Sequence, residues 1–218
     1  MDWTRAIDGY CERTDASLWS EPLNAATNAA FLIAAIITWR RSRGLPLARL
    51  LALILAAIGV GSALFHTLAN AWSALADTLP ILAFIMTYVY AASRGLLGLP
   101  AWAAALSAAA FVPYAALLGA AFAALPFFAI SAAYWPVAVL IALYALLLRR
   151  RAPRTARGLA LGAALLATSL ACRSLDAPLC DAIPLGTHWI WHCLNGLLLG
   201  WMIEVYRRHM VALGPARR

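Results

Sequence analysis

Residues 47–66 read LARLLALILAAIGVGSALFH. The stretch is apolar on every side of a helical wheel, with one arginine near its start and a serine and a histidine at its end. A helix needs about 20 apolar residues to cross ~30 Å of hydrocarbon, and this run has that length. The rest of the chain agrees with it. Of 218 residues, 64% are hydrophobic and 12% charged, and the mean hydropathy is +0.80. Soluble domains carry about 25% charged residues. The composition therefore predicts an all-α, polytopic membrane protein forming one domain over residues 1–218.

Working outward, seven apolar segments follow one another: Leu23–Trp39, Leu47–His66, Ala76–Ser93, Ala101–Ala121, Phe127–Leu148, Gly158–Cys172 and Thr187–Tyr206. Pro113 and Pro136 fall inside the fourth and fifth and are expected to kink them. A seven-helix bundle is the reading, with residues 1–22 outside the membrane and a tail over 207–218. Its orientation follows from arginine bias. Fourteen of seventeen arginines follow one alternating set of segment ends, including Arg40, Arg41 and Arg43, the run at 149–157, and Arg207, Arg208, Arg217 and Arg218. That side is read as cytoplasmic, so the C-terminus is inside and the N-terminus outside. The pI near 9.9 is then a topology signal and not a nucleic-acid footprint. The opening residues, MDWTRAIDGYCERTD, lack the apolar core of a cleavable signal. Alanine- and arginine-rich usage without lysine points to a GC-rich bacterial genome, hence an inner membrane.

Eight of the nine acids fall on the outer side, Glu204 being the exception. Three of the four histidines join them; His209 lies among the tail arginines and reads as surface. Ser62 and His66 are four residues apart and share a helix face, as do His188 and His192 in HWIWH. Two helices thus offer three imidazoles at one depth, with Asp77 opening the third segment beside them. Three histidines and a water make an open, catalytic type of zinc site, though imidazole suits other first-row metals too. The plain alternative is that each histidine caps a helix end. For Ser62 it is a small residue that lets helices pack closely. Arg173 and Asp176, three apart, are candidates for an ion pair near the last loop.

The motifs YCER (10–13), EPLNAATN (21–28), GSALFH (61–66), SLDAPLC (174–180) and HWIWH (188–192) occur in an order that resembles the alkaline ceramidases. These belong to a superfamily of seven-helix membrane hydrolases that also includes the adiponectin receptors. The resemblance implies zinc held by His66, His188 and His192, Ser62 polarising the substrate carbonyl, and Asp77 acting on the water. It implies hydrolysis of the amide of a ceramide-like membrane lipid to a long-chain base and a fatty acid. It also implies a disulfide between Cys11 and Cys180, on an outer side that would be oxidising in a periplasm. A second metal, calcium, is implied at the N-terminal segment, through Tyr10 (by its carbonyl), Glu12 and Glu21. Here Gly9 and Thr14 stand where the family has aspartate and asparagine, with Asp8 and Asp15 as neighbouring substitutes; the alternative is a solvated acidic segment. Two other functions share these features: hydrolysis of a different acyl lipid, ester or N-acyl amine, and a non-enzymatic lipid receptor or transporter with structural zinc.

Overall fold

The computed structural model describes residues 2–214, so Arg217 and Arg218 of the topology argument lie outside the described residues. Among those described the chain is helical, and its one β-type feature is an isolated bridge between Ala6 and Asn70. The helices are α1 (Pro22–Thr27), α2 (Ala29–Arg41), α3 (Pro46–Leu68), α4 (Ala71–Ala91), α5 (Ala101–Ala123), α6 (Pro126–Ala129), α7 (Trp135–Leu148), α8 (Pro153–Leu175) and α9 (His188–Ala212). Five stretches are long and apolar enough to cross a membrane: Pro22–Arg41, Pro46–Leu68, Ala71–Leu96, Ala101–Ala123 and Pro153–Leu175.

Several boundaries differ from the sequence reading, for local reasons. The third segment starts at Ala71 and not Ala76, because Asn70 and Ser73 form a capping box. Asp77 therefore sits two turns inside α4 and does not open it. Pro136 begins α7, where its missing N–H costs nothing, so it does not kink a longer helix. The chain before it turns at Ile130–Tyr134, and Tyr114 Oη holds that start by donating to the Pro136 carbonyl at 2.9 Å. The sixth segment gains a turn at each end. The last helix continues through much of the supposed tail, and His209 is half-buried against Thr155 at 2.9 Å rather than free on the surface.

The helices close a ring in which α2 packs on α3, then α4, α5, α7, α8 and α9 follow, and α9 returns to α2. Arginine-bearing ends meet at one end of this ring. Arg41 at the end of α2 reaches Glu204 on α9 at 3.0 Å, and Arg207 and Arg208 bind the same carboxylate. Outward faces are apolar: Leu117 is 79% exposed, with Ile33, Ile36 and Ile37 about half exposed. Such surfaces suit lipid contact. Inside, a narrow apolar cleft of about 90 Å³ is lined by Tyr88, Met202, Phe84, Leu166, Trp191 and Phe31.

One close approach fixes the geometry at the other end. Pro80 carries no N–H, so the Ala76 carbonyl one turn earlier loses its helical partner. Gly61 of α3 packs directly onto that carbonyl; a Cβ at Gly61 would overlap the Ala76 oxygen and lie 2.7 Å from its carbon. The contact brings Asp77 up against the Ser62 turn of α3. Over this end lies the N-terminal segment, tied by Ile7 N–H to the Ala69 carbonyl at 2.8 Å and by Ala71 N–H to the Arg5 carbonyl at 3.1 Å.

Candidate metal centre

His66 comes from the last turn of α3, and His188 and His192 from the first turns of α9. All three are at most 1% exposed. Their ring centroids form a triangle of 4.6, 4.6 and 5.1 Å, and one nitrogen of each lies within 4.8 Å of the others. His66 Nε2, His188 Nδ1 and His192 Nε2 are buried with no protein partner. Buried ring nitrogens are costly to leave unpaired, and three converging ones fit a cation. The bland reading, three separate helix-end histidines, does not place them so.

The surroundings set the tautomers. His66 Nδ1 lies 2.5 Å from Glu21 Oε2, and a carboxylate only accepts, so the ring carries its proton on Nδ1 and presents the Nε2 lone pair. His192 Nδ1 lies 3.0 Å from the Thr27 hydroxyl, which is 2.8 Å from the Leu23 carbonyl and gives its own proton there. His192 therefore donates from Nδ1 and also presents Nε2. These are the outer partners that orient metal-binding imidazoles. Burial alone would raise the Glu21 carboxyl, but the hydrogen bonds from His66 and Arg13 and the Arg13 charge outweigh it and hold it below its ordinary range.

His188 is set differently. Asp176 Oδ1 accepts the main-chain N–H of Thr187 at 2.6 Å and of His188 at 2.8 Å, capping α9, while Oδ2 accepts from Cys11 N at 3.1 Å. The expected Arg173–Asp176 pair does not form, because Asp176 turns to these amides. Arg173 instead donates to the Ile130 carbonyl and to Ser131. Gly186 is required beside it: its φ is +63°, and a Cβ would overlap the Asp176 carboxylate. Tyr10 stacks on the His188 ring at 3.7 Å and roofs the site, with Trp191 on the ring's other side at 5.0 Å.

Ser62 is 1% exposed and Asp77 9%. Asp77 stands next to Ser62 and within electrostatic reach of His66. Neither Ser62 Oγ nor Asp77 Oδ1 makes a hydrogen bond of good geometry to protein, so both are available to another partner. A buried hydroxyl and a buried carboxylate thus stand beside the imidazoles, one helical turn beyond Ile58 and Ile81 in the lining of the apolar cleft. The Ceramidase family model matches residues 7–212. The chain belongs to the ceramidase family. No curated protein matches it. Cys11 and Cys180 are joined by a disulfide with Cα atoms 5.3 Å apart, as the resemblance implies, whereas Cys172 and Cys193 are free.

The residues expected to bind calcium are not gathered around one point. Both Glu12 oxygens accept from the first turn of α1, from Leu23 N at 2.7 Å and Asn24 N at 2.8 Å. Tyr10's carbonyl accepts from Arg13 N at 3.1 Å. Glu21 binds Arg13, His66 and Asn24. Asp8 and Asp15 are exposed, Asp15 closing a turn with Ser17 N at 2.8 Å. The sequence reading overlooked Asp176 as a helix cap, Thr27 and Arg13; a carboxylate twelve residues before a helix start carries no local signal.

Proposed function

We propose that the chain is a zinc-dependent amide hydrolase acting on ceramide or a ceramide-like N-acyl lipid. Family membership supports a ceramidase-type hydrolase. The observation that carries the finer reading is the set of five buried polar groups, three of them convergent imidazole nitrogens, beside an apolar cleft.

His66, His188 and His192 hold the metal, which when bound lowers the pKa of water from 15.7 toward ~7 and polarises a carbonyl. Asp77 accepts the proton of the attacking water and delivers it to the departing amine. Ser62 donates to the amide oxygen as negative charge develops there. Glu21 and Thr27 keep His66 and His192 in the ligating tautomer. Tyr10 and the N-terminal segment limit water above the site, and the cleft takes a long chain from the lipid. In this reading the bundle crosses the membrane seven times, N-terminus outward, with the site toward the periplasm of a bacterial inner membrane.

The test is mass spectrometry of acids and amines released from defined N-acyl lipids and from acyl esters by purified protein, with zinc content measured alongside. His66→Ala is expected to lose zinc and activity together. Asp77→Asn keeps zinc and loses roughly 10²–10⁴ in rate; Ser62→Ala keeps zinc and loses about 10²–10³. If Asp77→Asn empties the site while His66→Ala leaves it filled, the roles are wrong. Cleavage of esters but of no amide would make the protein an esterase. Zinc without release from any lipid would make it a receptor.

A further inference from the structure

The Arg13 guanidinium is ringed by oxygens of the N-terminal segment, of Glu21 and of α3. Arg13 is 9% exposed, and all three of its side-chain nitrogens are engaged by oxygens. Nε donates to Glu21 Oε1 at 2.5 Å, Nη1 to the Asp15 carbonyl at 3.1 Å and the Ser17 carbonyl at 3.4 Å, and Nη2 to the His66 carbonyl at 3.2 Å. One carboxylate oxygen and three carbonyls around a positive centre are the donor chemistry that calcium uses. Here the ring of oxygens is already filled by the planar guanidinium fork.

We propose that Arg13 is a built-in replacement for a calcium ion, so that the metal centre is braced by a side chain and does not respond to calcium. The oxygens point at the guanidinium, and Glu12, the other buried carboxylate nearby, turns away to cap α1. A divalent ion brought to Glu21 would meet the Arg13 charge at hydrogen-bond distance from the same carboxylate. Arg13 is thus a positioning residue: it anchors Glu21, and Glu21 orients the His66 ring. Its link to the His66 carbonyl fixes the backbone of that residue as well. The consequence for zinc rests on the function proposed above; the consequence for calcium does not.

The experiment uses the full chain in detergent, with elemental analysis, radiolabelled calcium in equilibrium dialysis, and thermal unfolding. The wild-type protein is expected to hold no stoichiometric calcium at ~1 mM, a concentration at which extracellular calcium modules are filled. Its melting temperature and zinc content are expected to be the same in calcium and in magnesium. Arg13→Asn opens the ring of oxygens: it is expected to melt lower and hold less zinc, and ~1 mM calcium, but not magnesium, restores both. Arg13→Lys keeps a cation and is expected to fold and remain indifferent to calcium. One calcium per wild-type chain overturns the proposal, and that result needs no variant to fold. So does an Arg13→Asn protein unchanged in the absence of calcium, or one that loses zinc and gains nothing from calcium. None of these readouts uses hydrolysis, so a protein that cleaves no amide defeats the proposed function and leaves this inference to be decided on its own.

Discussion

Gly61→Ala is the perturbation that probes the architecture most directly. The added Cβ would overlap the Ala76 oxygen and lie 2.7 Å from the Ala76 carbon and 3.2 Å from Asp77 N. Ordinary contact begins near 3.4 Å, so α3 and α4 must part by at least about 0.7 Å, and the obstacle is backbone, which cannot rotate away. Overpacking of this kind costs typically 1–3 kcal/mol. The separation falls on the turn that carries Asp77 and moves it away from Ser62, while His66 stays tied to Glu21. A misplacement on the order of 1 Å can cost 10²-fold in rate. Gly61→Ala should therefore keep its zinc, melt lower and hydrolyse about 10²-fold more slowly. Gly119→Ala on α5 is the contrast: its Cβ would sit 3.4 Å from the Ala132 oxygen, an ordinary contact with the α6–α7 connection. There the better helix propensity of alanine, up to ~1 kcal/mol, should leave stability equal or higher and the rate unchanged. Zinc analysis, unfolding in detergent and amide hydrolysis read all three effects. Wild-type rate and melting temperature in Gly61→Ala would refute the claim that this contact sets Asp77.

Glu21→Gln should weaken zinc binding about 10–100-fold, as loss of an outer partner of a ligand does, measured by zinc competition. The Glu21 carboxyl is depressed below its ordinary 4.5, so its contribution to stability is present above that pH and lost as pH falls through the lower folded value. The gap in melting temperature between wild type and Glu21→Gln should hold at pH 6 to 7 and shrink below about 4.5; a gap that widens in acid contradicts the assignment. Asp176→Ala leaves the amides of Cys11, Thr187 and His188 without their charged acceptor, and hydrogen bonds to charged groups contribute about 1.5–3 kcal/mol. Its melting temperature should drop and His188 should lose order in zinc spectroscopy; a neutral result would remove the capping argument. For topology, a reporter fused to the C-terminus should be cytoplasmic and a tag at the N-terminus external, and finding both on one side would end the seven-crossing reading.

The helical segments were legible because hydrocarbon demands long apolar runs, and composition alone reveals those. The histidine triangle was legible because i, i+4 spacing puts pairs on one face, and the chain has few other polar residues at that end. Helix boundaries were less so. Ala71 was missed because Asn70 and Ser73, which interrupt the apolar run as polar residues, are the capping box that starts the helix there. Asp176 was misread because its partner is chosen in three dimensions: the amides of Thr187 and His188 come within reach only when Gly186, at φ +63°, turns the chain back. Arg13 was read only as the last residue of the YCER motif. Only the folded segment shows that Glu12 leaves for α1 and that the guanidinium fills the space.

Four consecutive residues, Tyr10 to Arg13, each attach to a different element. Tyr10 covers the His188 ring on α9, and Cys11 is bonded to Cys180 in the α8–α9 connection. Glu12 caps α1, and Arg13 holds Glu21 and the carbonyl of His66 on α3. Two of the three histidine-bearing turns and the entry to the first long helix are therefore referenced to one short N-terminal stretch. Helix packing in lipid gains little from hydrophobic burial, since lipid tails are as apolar as the core. Ångström-level placement of imidazoles from α3 and α9 must then come from polar and covalent ties, and these concentrate where the apolar bundle ends. That explains why the buried carboxylates Glu12, Glu21, Asp77 and Asp176 gather at this end, while the lining of the cleft below is almost wholly apolar.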